Sequence, residues 1–263
     1  MAHGQPLPHH PMSLLSDTHH PFWHFITRFG EAQILLPIAI GVAWLLWRRG
    51  RSARLALIWA GWVGLVAGIT TLSKLAFLGW GLGSAQFDFT GVSGHAMFAA
   101  AIYPVLFRFL PGPARLAPLL WHTLAVSTGL MLATLVAMSR VMVDAHSVSE
   151  SVVGLALGLG ASALTLRKLS PSGQIALHLP RWVPAVVAAW LAVLPATAPA
   201  SITHDLVIRM ALSLSGRDAP FQRSDLQRRP VRPLQSMPID AARADFPSAG
   251  PVSGTTESAA DLG

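Results

Sequence analysis

The chain has 263 residues, of which 52% are hydrophobic and only 12% charged, too apolar for an ordinary soluble domain. It has no cysteine, which excludes a disulfide framework and a zinc–thiolate site. Its formal net charge of +7 rests on 17 arginines and 2 lysines, but these lie between apolar runs and in the tail, with no basic patch interleaved with stacking aromatics, so no nucleic-acid partner is expected.

In chain order, residues 1–29 carry prolines and His3, His9, His10, His19, His20 and His24, and they lack the basic-then-apolar pattern of a signal peptide. Imidazole is a good transition-metal ligand, yet the simpler reading is a mobile polar lead-in with incidental histidines and no metal. Apolar runs then predict spans at about 30–47, 55–73, 95–110, 117–138, 147–166 and 182–200. The fold class this implies is all-α, a polytopic membrane bundle of about six transmembrane helices over residues 30–200. The third run is short of the ~20 residues that cross a bilayer core; it needs Gly94 and Pro111 added, or a thinned bilayer. Abundant glycine and alanine within the runs suits close helix packing in lipid. Residues 201–263 form a tail, with a short helix predicted over Ile202 to Leu214 and disorder expected in the Arg-, Pro-, Ser- and Gly-rich remainder.

Basic residues give the orientation. Arg48, Arg49, Arg51 and Arg54 separate spans one and two, Arg108 and Arg115 spans three and four, and Arg167, Lys168 and Arg181 spans five and six. The positive-inside rule makes these loops cytoplasmic. The opposite loops hold only Lys74 and Arg140, and they carry the two informative clusters: Gly91-Val92-Ser93-Gly94-His95, and Ser139 to Glu150. Ionisable residues gathered at membrane boundaries mark a functional site, here expected on the periplasmic side of a bacterial-type inner membrane.

The chemistry of both clusters suits a phosphate. Gly91 and Gly94 open an apolar helix, where backbone amides and the positive dipole end favour an anion, and Ser93 adds a hydroxyl. His95 has a near-neutral pKa suited to delivering a proton. Arg140 offers a planar fork matched to phosphate oxygens. His146 and Glu150, four residues apart, share one helix face, so the carboxylate can fix the tautomer that leaves the other imidazole nitrogen free to attack. Ser147 and Glu150 also fit a capping box, which assigns the same carboxylate different work. Asp144 reads as a loop or cap residue and His122, mid-span, as a packed polar group.

These residues resemble the type 2 phosphatidic acid phosphatase superfamily, integral-membrane lipid phosphatases that share a core with vanadium haloperoxidases. That signature is a lysine, six residues, Arg-Pro; then Pro-Ser-Gly-His; then Ser-Arg, five residues, His, three residues, Asp. Lys74, Ser93-Gly94-His95 and Ser139-Arg140 with His146 match it over roughly residues 55–166. Gly81-Leu82 stand in place of Arg-Pro, Val92 in place of proline and Glu150 in place of aspartate. Arg28 or a tail arginine is the available substitute for the missing cation. The resemblance implies that His146 is the nucleophile, Glu150 its orienting group and His95 the proton donor. It implies that Lys74, Ser93, Gly94 and Arg140 bind phosphate, with no cofactor or metal. The implied partners are membrane lipids and a lipid phosphate or pyrophosphate such as undecaprenyl pyrophosphate, phosphatidic acid or phosphatidylglycerol phosphate. The alternative class, an anion-binding membrane transporter or an inactive phosphatase-like binding protein, needs no His–carboxylate pair, and transporters tend to show internal repeats, of which none is evident. Haloperoxidase chemistry does not suit so hydrophobic a chain.

Overall fold

The apolar runs become helices because lipid offers their backbone no hydrogen-bond partner, so each span must satisfy its own amides. The computed structural model describes residues 20–48, 53–113, 115–168, 180, 182–197 and 203–228, all within one compact unit ending at Arg228. Among them the helices are α1 (His20–Arg28), α2 (Ala32–Arg48), α3 (Ala53–Trp80), α4 (Gly94–Phe109), α5 (Pro118–Met142), α6 (Val148–Leu166), α7 (Val183–Thr197), α8 (Thr203–Ser215) and α9 (Arg223–Arg228). The described residues contain no strand, only an isolated bridge between Ser84 and Phe89. This is the expected all-α membrane bundle, with α2 to α7 at the six predicted spans.

Four stretches are long and apolar enough to cross a membrane: Pro21–Arg48, Ala53–Trp80, Pro118–Met142 and Val148–Leu166. The first is interrupted by the turn between α1 and α2. The shorter α4 is a different kind of element. It lies between α5 and α6 and also touches α2 and α3, so Ala96, Met97, Ala99 to Leu106 and Phe109 are all buried. A helix apolar on every side belongs inside a bundle, and one enclosed by protein need not match the lipid thickness. It takes in Gly94 as expected, but ends before Pro111.

Small residues let the neighbours close on α4. A methyl group on Gly158 would fall 2.3 Å from the Met97 carbonyl oxygen, and one on Gly154 2.5 Å from that of Ser93. The large polar side chains inside the bundle find backbone partners, as a dry interior favours: Trp59 Nε1 donates to Ala101 O at 3.1 Å, Tyr103 OH to Phe29 O at 2.8 Å and Trp190 Nε1 to Ile34 O at 3.0 Å. Outward faces keep Ile40, Leu57, Leu65, Leu72, Met131 and Val152 exposed, the composition of a lipid-facing belt.

Three boundaries differ from the sequence reading. Residues 20–28 of the expected lead-in are helical, and α1 packs on α5; the histidines before them lie outside the described residues. Helix α3 continues past Lys74 to Trp80, because the stretch from Leu75 to Trp80 stays apolar and unbroken until Gly81. Gly81 ends it in the left-handed region, φ 66°, with its N–H donating to Phe77 O at 2.7 Å, the glycine cap that L-residues disfavour. The expected short tail helix is α8, but order does not stop there: residues 216–228 pack back on the bundle through α9, whose Leu226 is buried. Residues 229–263 lie outside the described residues.

Candidate active site

Alternation of the helices brings the end of α3, the start of α4, the end of α5 and the start of α6 to one end of the bundle. The loop after α3 reaches it by a tight path. Gly91, with φ 150°, lies against Lys74, and a Cβ there would sit 3.1 Å from Lys74 Cγ. Val92 N donates to Ser73 Oγ at 3.0 Å, and Ser93 N to the Glu150 carbonyl at 3.2 Å. These bonds pin the first cluster to α3 on one side and α6 on the other.

The second cluster turns sharply after α5. The amides of Ala145 and His146 both donate to Arg140 O at 3.1 Å, and Asp144 adopts φ 53°. The turn puts His146 just ahead of the N-cap Ser147. There the capping box forms: Glu150 N donates to Ser147 Oγ at 3.3 Å and Ser147 N to Glu150 Oε2 at 3.1 Å. The same Oε2 lies 2.7 Å from His146 Nδ1. Capping and orienting are therefore not alternatives, because one carboxylate performs both. Facing a carboxylate, Nδ1 carries the proton, which leaves the Nε2 lone pair free.

Glu150 is fully buried, and a carboxylate in that position needs every lone pair engaged. Its Oε1 accepts from Thr90 N at 2.6 Å and Thr90 Oγ1 at 2.5 Å. Its Oε2 also accepts from Arg223 Nη2 at 2.9 Å. Five donors thus converge on one side chain. Burial pushes the His146 pKa down, its hydrogen bond to Glu150 raises it, and the positive charges of Lys74 and Arg140 lower it further. The net displacement is downward, which widens the pH range over which the imidazole is neutral.

A cavity of about 670 Å³ opens beside this pair. Lys74, Gly94, His95, Arg140 and His146 line it. Ser93 does not; it sits behind the rim, fully buried, with its hydroxyl lacking a hydrogen-bond partner. Arg140 is steadied by Nη1 donating to Thr27 Oγ1 at 2.8 Å, while its Nε has no partner. Cations and unfilled donors around a hollow suit an anion. Apolar side chains also line it, among them Leu206, Val207 and Met210 from α8 and Phe98 from α4, with Thr203 and His204 at the start of α8. His122 stands near the far end of α5 and is not part of the cavity.

Three participants, Thr27, Thr90 and Asp88, were not among the expected site residues, and a fourth was expected only as an unspecified tail arginine. Thr27 contacts Arg140, Thr90 contacts Glu150 and Asp88 contacts Arg223, all across long stretches of sequence, and only Thr90, adjoining the Gly91 cluster, carried a local hint. The fourth, Arg223, comes from the stretch expected to be disordered and reaches the cavity. Arg28 instead pairs with Glu31 at 3.5 Å. The local signal available for Arg223 was the helix start at Gln222, whose N–H donates to Asp225 Oδ2 at 2.8 Å.

Residues 75–173 match the family described as PAP2 superfamily, a stretch that begins just after Lys74 and contains His95, Arg140, His146 and Glu150. A Klebsiella pneumoniae protein described as an uncharacterized 22.5 kDa protein in cps region is 38% identical over 210 residues, covering 78% of this chain and 98% of that protein. No solved structure matches.

Proposed function

Because the chain belongs to the PAP2 superfamily of phosphatases, we propose that this membrane protein hydrolyses a lipid phosphate or pyrophosphate through a phosphohistidine intermediate. The observation that carries this reading is the His146–Glu150 pair at a cavity lined both by His95, Lys74 and Arg140 and by apolar side chains such as Phe98, Leu206, Val207 and Met210. The charged lining suits a phosphate head group and the apolar lining a hydrocarbon chain.

In the first step His146 Nε2 attacks phosphorus. The bond from phosphorus to the leaving oxygen breaks, and that oxygen takes a proton from His95. Glu150 stabilises the positive charge that the imidazole acquires, while Nδ1 keeps its proton. Lys74, Arg140 and the amides near Ser93 and Gly94 bind the equatorial oxygens, where charge accumulates in the transition state. Water then attacks the phosphohistidine and gives a proton to His95. The P–N bond breaks, orthophosphate leaves and both histidines return to their starting states. The groups facing the phosphate position are cations, amides and imidazoles, so the chemistry assigned to them calls on no metal. Undecaprenyl pyrophosphate, phosphatidic acid and phosphatidylglycerol phosphate are the substrates to test first.

Purified protein in detergent should release orthophosphate from a panel of these lipids. Chelators should leave the rate unchanged, and vanadate, which mimics pentacoordinate phosphorus, should inhibit. Activity lost to a chelator and restored by a divalent ion would sink the mechanism; no release from any lipid phosphate would sink the function.

The reading includes sidedness. Arg48 and Arg54, Arg108, and Arg167 with Lys168 lie at the end of the bundle away from the cavity, which supports a periplasmic site. The chain has no cysteine, so single cysteines report cleanly. In intact cells an impermeant thiol reagent should label Gln86→Cys, at an exposed position of the loop after α3, and spare Ser52→Cys. The reverse pattern overturns the orientation.

A further inference from the structure

Arg223 is a cation in the cavity wall that the mechanism above leaves without work. It sits at the start of α9, carried there by a segment tied to α3 at two points. Residues of α8 pack on the end of α3, where Gly79 leaves room for Ala211 and Ser215. Beyond it, Phe221 N donates to Leu78 O at 3.0 Å, with Arg217 stacked over the Phe221 ring at 4.0 Å. Leu226 is buried one turn on. The segment is thus seated by packing that does not involve Arg223, and the guanidinium is free to be aimed.

The guanidinium spans two carboxylates. Its Nη1 donates to the Asp88 carboxylate and, at 3.0 Å, to the Asp88 carbonyl. Its Nη2 donates to Glu150 Oε2 at 2.9 Å. Asp88 is held ready by its backbone: it closes the turn bridged by Ser84 and Phe89 in the left-handed region, φ 48°, which aspartate and asparagine tolerate better than other side chains. The oxygen that Arg223 holds is the one that holds His146. We propose that Arg223 is a positioning residue: anchored by Asp88, it fixes Glu150 Oε2 so that His146 points its free nitrogen into the cavity, which makes residues 203–228 part of the catalytic unit.

A fork-shaped donor suits this task. Thr90 pins Oε1, so the orientation of the carboxylate plane is set by what holds Oε2. His146 cannot be its own guide, and the Ser147 amide, at 3.1 Å, is the longest of the five contacts. Arg223 supplies the remaining constraint from a guanidinium held on its other side by Asp88.

The proposal rests on the phosphatase reading, and one experiment separates the two. With a lipid phosphate that the parent protein hydrolyses, Arg223→Ala should lower kcat by about tenfold to a hundredfold, the cost of a small misalignment of a reacting group, with KM nearly unchanged. Asp88→Asn keeps the left-handed backbone and weakens the anchor, so it should lower kcat less. The double variant should be no worse than Arg223→Ala alone, because both act through one contact. The side chain is 34% exposed, so millimolar guanidinium should restore part of the kcat of Arg223→Ala and leave the parent unaffected. A raised KM with kcat retained would assign Arg223 to substrate binding and overturn the proposal, as would an unchanged kcat or additive losses in the double variant. Should Arg223→Ala not fold, an unchanged kcat in Asp88→Asn overturns it equally. A parent that releases no phosphate overturns the phosphatase reading itself.

Discussion

His146→Ala should remove turnover, by at least about a thousandfold, because the covalent step has no other nucleophile at that position. With a labelled pyrophosphate substrate it should also leave no acid-labile label on the protein. His95→Ala should behave differently. A pyrophosphate leaving group departs with little protonation, so the first step should still run, while water attack on the phosphohistidine loses its base. Label should therefore accumulate on His95→Ala and stay absent from His146→Ala, a contrast read by quenching and counting. With a lipid alcohol as leaving group, both variants should be equally silent, since departure of an alkoxide needs the proton from His95. Label retained in His146→Ala, or equal residual turnover in both variants on pyrophosphate, would reverse or remove the assigned roles.

The second large effect is expected at Glu150. Glu150→Gln keeps the length of the side chain but exchanges one acceptor oxygen for a donor. Five donors point at this carboxylate, and an amide has only one oxygen to offer them. Whichever way it turns, an N–H group faces either the Thr90 pair or the His146, Ser147 and Arg223 set. Turnover should fall on the order of a hundredfold or more, about 3 kcal/mol of transition-state stabilisation. Thermal stability in detergent should fall too, since a buried donor left without an acceptor costs about 1–3 kcal/mol. Glu150→Asp should keep part of both, because it retains the charge and both oxygens on a shorter arm. A glutamine variant that turns over like the parent would leave Glu150 as a helix cap alone.

How legible this was in the sequence depended on the range of the interaction. Lipid acts on each span locally, so hydropathy located α2 to α7. His146 and Glu150 meet because four residues bring them to one face at a helix start, and that too could be read from the text. Lys74 was placed at a span end, though its helix runs on to Trp80, since an apolar stretch gives no stop before Gly81. The polar environment of the site is another matter. Thr27 reaches Arg140 across 113 residues and Thr90 reaches Glu150 across 60. Arg223 meets Glu150 across 73 residues, from a stretch whose composition argues for disorder. The local pattern offers at most a hint of such partners, Thr90 beside the Gly91 cluster and the helix start at Gln222, and never says what they meet. They arise because a buried carboxylate demands donors and the fold delivers them from wherever chain happens to pass.

The return of residues 203–228 to the cavity has a consequence in time. A protein is made from its amino terminus, and a membrane chain inserts as it emerges. When α6 has entered the bilayer, Lys74, His95, Arg140, His146 and Glu150 have all been synthesised, yet Oε2 of Glu150 still lacks the guanidinium. Arg223 arrives only after α7 has led the chain back along the bundle to the end where the others wait. The site is therefore finished last, by chain that follows a helix contributing nothing to its lining. A chain stalled or cut before Arg223 would carry every residue of the recognisable signature and an apparatus still one fastening short.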